Sequence, residues 1–222
     1  MQHKVKILKI MKVDFVSHNV KSFIVEKPEG YKFVPGQAAD VSINKPGFEQ
    51  KKRAFTICGL NDDLVLEFTI KKYKDGVTEK MHDLKPGDEL IIEEPFGTIS
   101  YKGVGVFIAG GAGVTPFIAI SRQLKRENKS EGNTLMFSNK RHVDVLFEKE
   151  LIDMFKENLI LTLTEERRKG YEYGQINKKF LKEKIKDFGQ HFYICGPPFF
   201  VKDIKNSLIE LGAREESIIT EK

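Results

Sequence analysis

Between Met1 and Lys102 the apolar positions fall in short runs: KVKILKIMKV, SFIVEK, ADVSIN, LVLEFTIKKY and DELIIEE. The segments between them, PEG, KPG, NDD, KDG and KPGD, carry Gly, Pro, Asn and Asp, the residues that set or tolerate turn dihedrals. Closely spaced strands with turn chemistry between them predict an antiparallel barrel or sandwich. The first run sits in MQHKVKILKIMKVDF, where Lys4, Lys6, Lys9 and Lys12 interrupt the apolar residues too often for a signal-peptide core. It reads as a first strand with alternating faces.

After Lys102 the period changes. VGVFIAG, NTLMFSN, LILTLT and HFYICG are apolar, strand-like runs, and a candidate helix follows each of the first three. Strand alternating with helix predicts a parallel sheet covered on both faces. Thr115 is placed to cap the first helix, Pro116 suits its first turn, and Lys125 and Arg126 stand near its C-terminal end. The last helix, PPFFVKDIKNSLIELG, aligns Val201, Ile204, Leu208 and Leu211 on one face and stops at Gly212. The change of period predicts two domains, 1–102 and 103–222.

Composition narrows the classes. With 222 residues, 40% hydrophobic and 31% charged, the chain can bury two cores and is not of disordered composition. No run approaches the roughly 18 apolar residues of a membrane helix, so no membrane span is expected. Cys58 and Cys195 are the only cysteines, which argues against a disulfide framework and against a four-thiolate iron–sulfur cluster, and points to a reducing cytoplasm. His3, His18, His82, His142 and His191 lack metal-ligand spacing, so no metal is expected. The net charge of +5 is spread over both halves without a basic block. That reads as solvated surface rather than nucleic-acid binding, and it is compatible with an acidic protein partner.

The glycine-rich stretch GGAGVTPF, Gly110 to Phe117, matches neither G-x-x-x-x-G-K-[ST] nor G-x-G-x-x-G. It nevertheless follows the first strand of a parallel sheet and leads into a helix, where free N–H groups and the helix dipole suit a pyrophosphate. The plainer reading is that Gly110, Gly111 and Gly113 only form a tight turn. YICGPPFF repeats the arrangement, a strand running through Cys195 and Gly196 into a helix at Pro197 and Pro198. Cys195 is either a thiol activated by the helix dipole or a small polarizable residue lining a pocket. No base close in sequence would activate it, which favours the pocket reading.

Together, GGAGVTPF and CGPP resemble the nucleotide-binding half of the ferredoxin–NADP reductase superfamily, and RAFTICG at Arg53 to Gly59 resembles its Arg-x-Tyr-Ser flavin motif. GVTEKMHDLKPGD, with Thr78 in place of Ser, and PGQ at 35–37 match the pattern less strongly. The resemblance implies an N-terminal antiparallel Greek-key β-barrel that binds FAD and a C-terminal α/β parallel-sheet domain that binds NADH or NADPH. It further implies that Arg53 pairs with a flavin phosphate, that Phe55 packs on the isoalloxazine, and that Thr56 bonds near N5. Ile70 and Lys71 are expected to border the same cofactor, and the amides of Gly76, Val77 and Thr78 to meet its pyrophosphate, which favours FAD over FMN. Gly110, Gly111, Gly113, Thr115 and Pro116 would hold the nicotinamide dinucleotide. Cys195, with Gly196 and Pro197, would lie near the hydride-donating carbon, making Thr56 and Cys195 the catalytic pair. Cofactor choice is carried by EERRK: Glu165 favours the ribose hydroxyl of NADH, whereas the following bases, or Lys140 and Arg141, favour a 2′-phosphate.

Two departures bear on function. Phe55 replaces the usual Tyr and loses one hydroxyl contact, so flavin would bind less tightly or exchange. Relatives also continue through a Glu-x-aromatic pattern, while here Lys222 follows Glu221, which is read as a solvated terminal carboxylate. The leading reading is a reductase serving an acidic one-electron carrier, flavodoxin or ferredoxin. The alternatives are a free-flavin reductase and an electron-transfer subunit of a larger complex.

Overall fold

The structure, a computed structural model, describes residues 5–97 and 99–221; Lys4 of the first run lies outside them. It consists of two compact units, Met1–Thr98 and Ile99–Lys222.

All five apolar runs of the first half become strands: β1 (Lys6–Ser17), β2 (Val20–Glu26), β3 (Ala38–Ile43), β5 (Val65–Lys71) and β6 (Glu89–Ile92). The sixth, β4 (Arg53–Thr56), is four residues long and starts on an exposed Arg, too little pattern to stand out from its loop. The order is β4-β3-β6-β1-β2-β5, with every pairing antiparallel. An antiparallel bridge between Ile57 and Phe68, with the Cys58 amide donating to the Glu67 carbonyl at 2.8 Å, joins the end of β4 to β5. That bridge closes the sheet on itself, so a barrel rather than a sandwich removes the two open edges. Ile10, Phe23, Val41, Phe68, Ile70 and Leu90 fill its interior.

A short helix, α1 (Val77–Met81), follows β5 and plugs against this core through Val77 and Met81. Its C-cap, His82, is buried, with Nε2 2.9 Å from the Ile70 carbonyl and its own carbonyl accepting Lys21 Nζ at 2.8 Å. Burial, reinforced by the positive charges of Lys21 and Lys72, holds the imidazole pKa below its ordinary value.

The second unit alternates as its pattern predicts: β7 (Gly105–Gly110), α2 (Thr115–Arg126), β8 (Thr134–Asn139), α3 (Glu148–Phe155), β9 (Leu159–Leu163), α4 (Lys178–Lys184), β11 (His191–Cys195) and α5 (Pro198–Glu210). Two edge strands, β10 (Glu172–Tyr173) and β12 (Ile218–Thr220), are two and three residues long and left no periodic trace. All six strands are parallel, in the order β10-β9-β8-β7-β11-β12. The end of α5 is a Schellman arrangement, as Gly212 foretold: Gly212 has φ 102°, its amide donates to Ile209, and the Ala213 amide donates to Leu208. Thr115 is not the cap of α2. It lies inside the helix at φ −58°, after a 3₁₀ turn at Gly111–Val114, and its hydroxyl donates back to the Ala112 carbonyl at 3.0 Å.

Tyr193 fastens the start of this unit. Wholly buried, its hydroxyl accepts the amides of Lys102 (2.9 Å) and Gly103 (3.1 Å) and donates to the Gly103 carbonyl (2.7 Å), while the ring stacks on Tyr101 and packs at a tilt against Phe107. Tyr193→Phe strips two amides and a carbonyl of one partner, and urea unfolding is expected to show a loss of about 1–2 kcal/mol. A second expectation concerns pH. Because His82 binds a proton less readily folded than unfolded, stability present above about pH 6.5 drains away as pH falls through the lowered folded pKa. His82→Gln keeps a donor for Ile70 and cannot titrate, so its unfolding midpoint is expected to stay flatter than the wild type's as pH falls below about 6.5.

Candidate functional site

In β4 side chains alternate, so Arg53 and Phe55 share one face and Ala54 and Thr56 the other. Arg53 is exposed; its Nη1 donates to the Lys52 carbonyl at 2.8 Å, and among the described residues no carboxylate lies within ion-pair distance of it. Its fork is therefore available to an external anion. Phe55 is half-buried, with part of its ring against the barrel core. Thr56 is buried.

The closing bridge runs β5 antiparallel to β4, which sends Thr69, Ile70 and Lys71 back alongside Thr56, Phe55 and Ala54. Ile70 exposes no surface and its side chain faces the core, where it forms part of the barrel wall. Lys71 is partly exposed. Thr69 points to the same side as Thr56, and its hydroxyl is buried with no partner among the described residues. Such an orphan costs about 1–3 kcal/mol unless something meets it. Sequence reading passed over Thr69 because an outward Thr in a β-run looks like surface.

Beyond Lys71 the chain turns through Asp75, at φ 61°, into α1. The Thr78 hydroxyl accepts the Tyr73 amide at 3.0 Å, and the Gly76 amide donates to the Tyr73 carbonyl at 3.3 Å. Gly76 is the N-cap and supplies no side-chain bond, which leaves main-chain N–H groups at Val77 and Thr78 as the polar offering of this turn. With five residues, α1 contributes little macrodipole, so its free amides are the main attraction this turn offers an anion.

In the second unit the strand order runs outward from β7 in both directions, to β8 on one side and β11 on the other. This is the switch point of an open parallel sheet, where connections diverge and leave a crevice at the carboxyl ends. The glycine turn leaves β7 there, and Gly196 and Pro197 leave β11, with Ala109 and Cys195 paired in register. A Cβ on Gly113 would lie 2.4 Å from the Cys195 carbonyl oxygen, and one on Gly196 would lie 2.9 Å from Phe200 and 3.2 Å from the Gly110 backbone. Gly111 differs: it has φ 55° and open space where a side chain would stand. The turn is thus pressed against β11 on one side and open on the other, a cradle that fits the pyrophosphate of a dinucleotide. Pro116 is buried in the first turn of α2, where it helps set the helix start.

Cys195 is buried at the end of β11. Parallel pairing of Ile194 with Thr220 brings Glu221 beside it, and the carboxylate hydrogen-bonds the thiol. Burial first, then Glu221, raises the thiol pKa far above its ordinary value. That direction favours the protonated thiol over a thiolate. Glu221, read from sequence as a solvated terminal carboxylate, is exposed.

Glu165 leaves β9 beside Lys140, which follows β8: the ion pair is 2.8 Å, Arg141 Nε stands 3.8 Å away, and the Glu165 amide donates to the Lys140 carbonyl at 2.9 Å. The hydrogen bond from Lys140 lowers the Glu165 pKa. Acid and bases that sequence presented as alternative contacts form one exposed cluster.

Residues 7–101 match the family model of the oxidoreductase FAD-binding domain, and residues 107–206 that of the oxidoreductase NAD-binding domain. NADH-cytochrome b5 reductase 2 of Mycosarcoma maydis is 28% identical over 224 residues, covering 90% of this chain and 64% of the relative. The ferredoxin–NAD(P)(+) reductase component of the naphthalene 1,2-dioxygenase system of Pseudomonas putida is 24% identical, covering 97% and 69%. The chain thus spans a little under two thirds of the length of the b5 reductase. The crystal structure of a ferredoxin NADP+ reductase from Neisseria gonorrhoeae with bound FAD and NADP superposes with a TM-score of 0.87 at 20% identity, covering 99% and 98%. A FAD-binding barrel followed by an NAD-binding parallel sheet, matched in that order along most of its length, makes this chain a member of the ferredoxin–NADP reductase superfamily.

Proposed function

We propose that the chain oxidises NADH or NADPH, uses FAD as its flavin and delivers electrons singly to a small acidic protein carrier, ferredoxin or flavodoxin. The observation that carries this reading is the switch-point cradle, in which the glycine turn rests on the carbonyl of Cys195. Names among the relatives support a protein acceptor, cytochrome b5 in one and ferredoxin in another.

Bound FAD would supply the exchange between two-electron and one-electron chemistry. The chain's own residues bind and orient. Arg53 offers its unpaired fork to a phosphate, Phe55 a partly exposed ring face, and Val77 and Thr78 their amides. Thr56 and Thr69 stand side by side with hydroxyls that can donate or accept as a ring nitrogen changes protonation. Gly110, Gly111, Gly113 and the first turn of α2 hold the dinucleotide pyrophosphate. Cys195 keeps a small neutral donor at the reacting end, with Gly196 and Pro197 leaving backbone room. Glu165, bound to Lys140, favours the ribose hydroxyl and hence NADH. Two free, buried cysteines support a reducing compartment, the cytoplasm, as the reading; among the described residues no helix is long and apolar enough to cross a membrane.

A second reading, free-flavin reduction, draws on Phe55, which lacks a hydroxyl to hold the flavin side chain. The two readings part on flavin retention.

The purified protein, incubated with FAD and freed of unbound flavin, is expected to keep a visible flavin band that anaerobic NADH bleaches at lower concentration than NADPH. A protein left colourless would sink the tightly bound flavoprotein and leave the free-flavin reading. Gly113→Ala forces the glycine turn off Cys195; the flavin band is expected to persist while the NADH concentration for half-bleaching rises at least about tenfold.

A further inference from the structure

Past β9 the chain leaves the sheet through EERRKGY and comes back to pair Glu172 with Thr162 of the strand it left. Both ends of this loop are pinned by backbone: the Thr164 and Glu165 amides donate to the Asn139 and Lys140 carbonyls, each at 2.9 Å, and the Gly174 amide donates to the Leu163 carbonyl at 2.9 Å. Side chains fix the orientation of its middle. The loop after β8 and the first turn of α3 meet it at Glu148, where the Tyr171 hydroxyl donates to Oε1 and His142 Nε2 stands 2.9 Å from Oε2. A carboxylate only accepts, so Nε2 carries the hydrogen. The His142 amide in turn donates to Glu166 Oε2 at 2.8 Å, and the rings of His142 and Tyr171 meet edge to face at 5.6 Å.

This brace decides where the charges of the loop go. Burial acts to raise the Glu148 pKa, but the bonds from Tyr171 and His142 outweigh it and hold the carboxylate below its ordinary value, able to accept from both. Glu166 is taken up by the His142 amide, with Arg168 Nη1 3.8 Å from its other oxygen, and the Arg167 guanidinium lies 4.0 Å from the Tyr173 ring centre. Glu165 is left exposed at the end of β9, beside Lys140. A loop free to turn would bring arginines to the point where that acid stands. The brace selects the acid.

We propose that Glu148 is a positioning residue for the choice of nucleotide: clamped by His142 and Tyr171, it holds the loop so that Glu165 and not an arginine faces the adenosine ribose, admitting a free 2′-hydroxyl and repelling a 2′-phosphate. The proposal rests on the NADH reading above and names the residues that enforce it. Ligands of an open parallel sheet lie at the carboxyl ends of its strands, with an acidic residue on the ribose hydroxyl. The ion pair with Lys140 does not forbid that contact, because an exposed pair exchanges partners at little cost. The brace acts through Glu165, by setting the fraction of molecules whose loop is competent, and a fall in that fraction raises the apparent Kd in proportion.

The probes are AMP and its 2′-phosphorylated form, which differ only in the group at issue and report on the adenosine end whether or not hydride moves. By calorimetry on the full chain, the wild type is expected to bind AMP the more tightly. Tyr171→Phe removes one hydroxyl and is expected to raise the Kd for AMP at least about threefold, without raising that for the 2′-phosphorylated form. Glu148→Ala is expected to repeat the effect, and Glu148→Gln, which keeps an oxygen for Tyr171, to restore most of the AMP affinity. A Tyr171→Phe protein that keeps the wild-type ratio of the two affinities, by losing neither probe or both equally, overturns the brace and leaves the NADH reading intact. A wild type that binds AMP no more tightly than the 2′-phosphorylated form overturns the NADH reading and the brace with it, and bleaching of the flavin by NADPH would then keep the reductase.

Discussion

The second unit depends on the contact of Gly113 with the main chain of β11. Any side chain there would overlap the Cys195 carbonyl and the Gly196 amide, so only hydrogen lets the turn after β7 lie against the end of β11. From that contact follow the entry into α2 without a side-chain cap, the crevice at the switch point, and the position of Cys195 directly under the turn. Gly196 repeats the constraint from the other strand, since a Cβ there would press on Phe200 and Gly110. Glycine serves here mainly to let two backbones approach, with Gly111 alone needing its left-handed dihedral.

The barrel has a comparable constraint in the bridge between Ile57 and Phe68. Closing the sheet satisfies its edges, and the same closure turns two sequence segments about fifteen residues apart into neighbours. Arg53, Phe55 and Thr56 come to stand beside Thr69 and Lys71, and the chain leaving β5 delivers the amides of α1 to the same end. The Thr69 hydroxyl is buried there with no partner among the described residues.

Polar chemistry is graded by burial. Cys195, deep at the end of β11, is kept neutral by its surroundings, and His82, under the barrel end, is pushed the same way by the same cause. Glu165, Lys140 and Arg141, out at the ends of β8 and β9, pair in solvent where they can exchange partners cheaply.

What the sequence by itself determined is local. The two periods separated barrel from parallel sheet, Gly212 marked the end of α5, and the motifs picked out Arg53, the glycine turn and Cys195, because periodicity, turn dihedrals and motif spacing are properties of neighbouring residues. Tertiary structure decided what depends on distant partners. Barrel rather than sandwich turned on one bridge, and the strands too short to show a period, β4, β10 and β12, exist because a longer neighbour supplies their hydrogen bonds. Thr115 lost its expected capping role to a preceding 3₁₀ turn, Ile70 came to face the barrel core, and Glu221 came to lie beside Cys195 through the register of β12 on β11. Each of these was settled by which backbone lay alongside, and no single stretch of sequence carries that information.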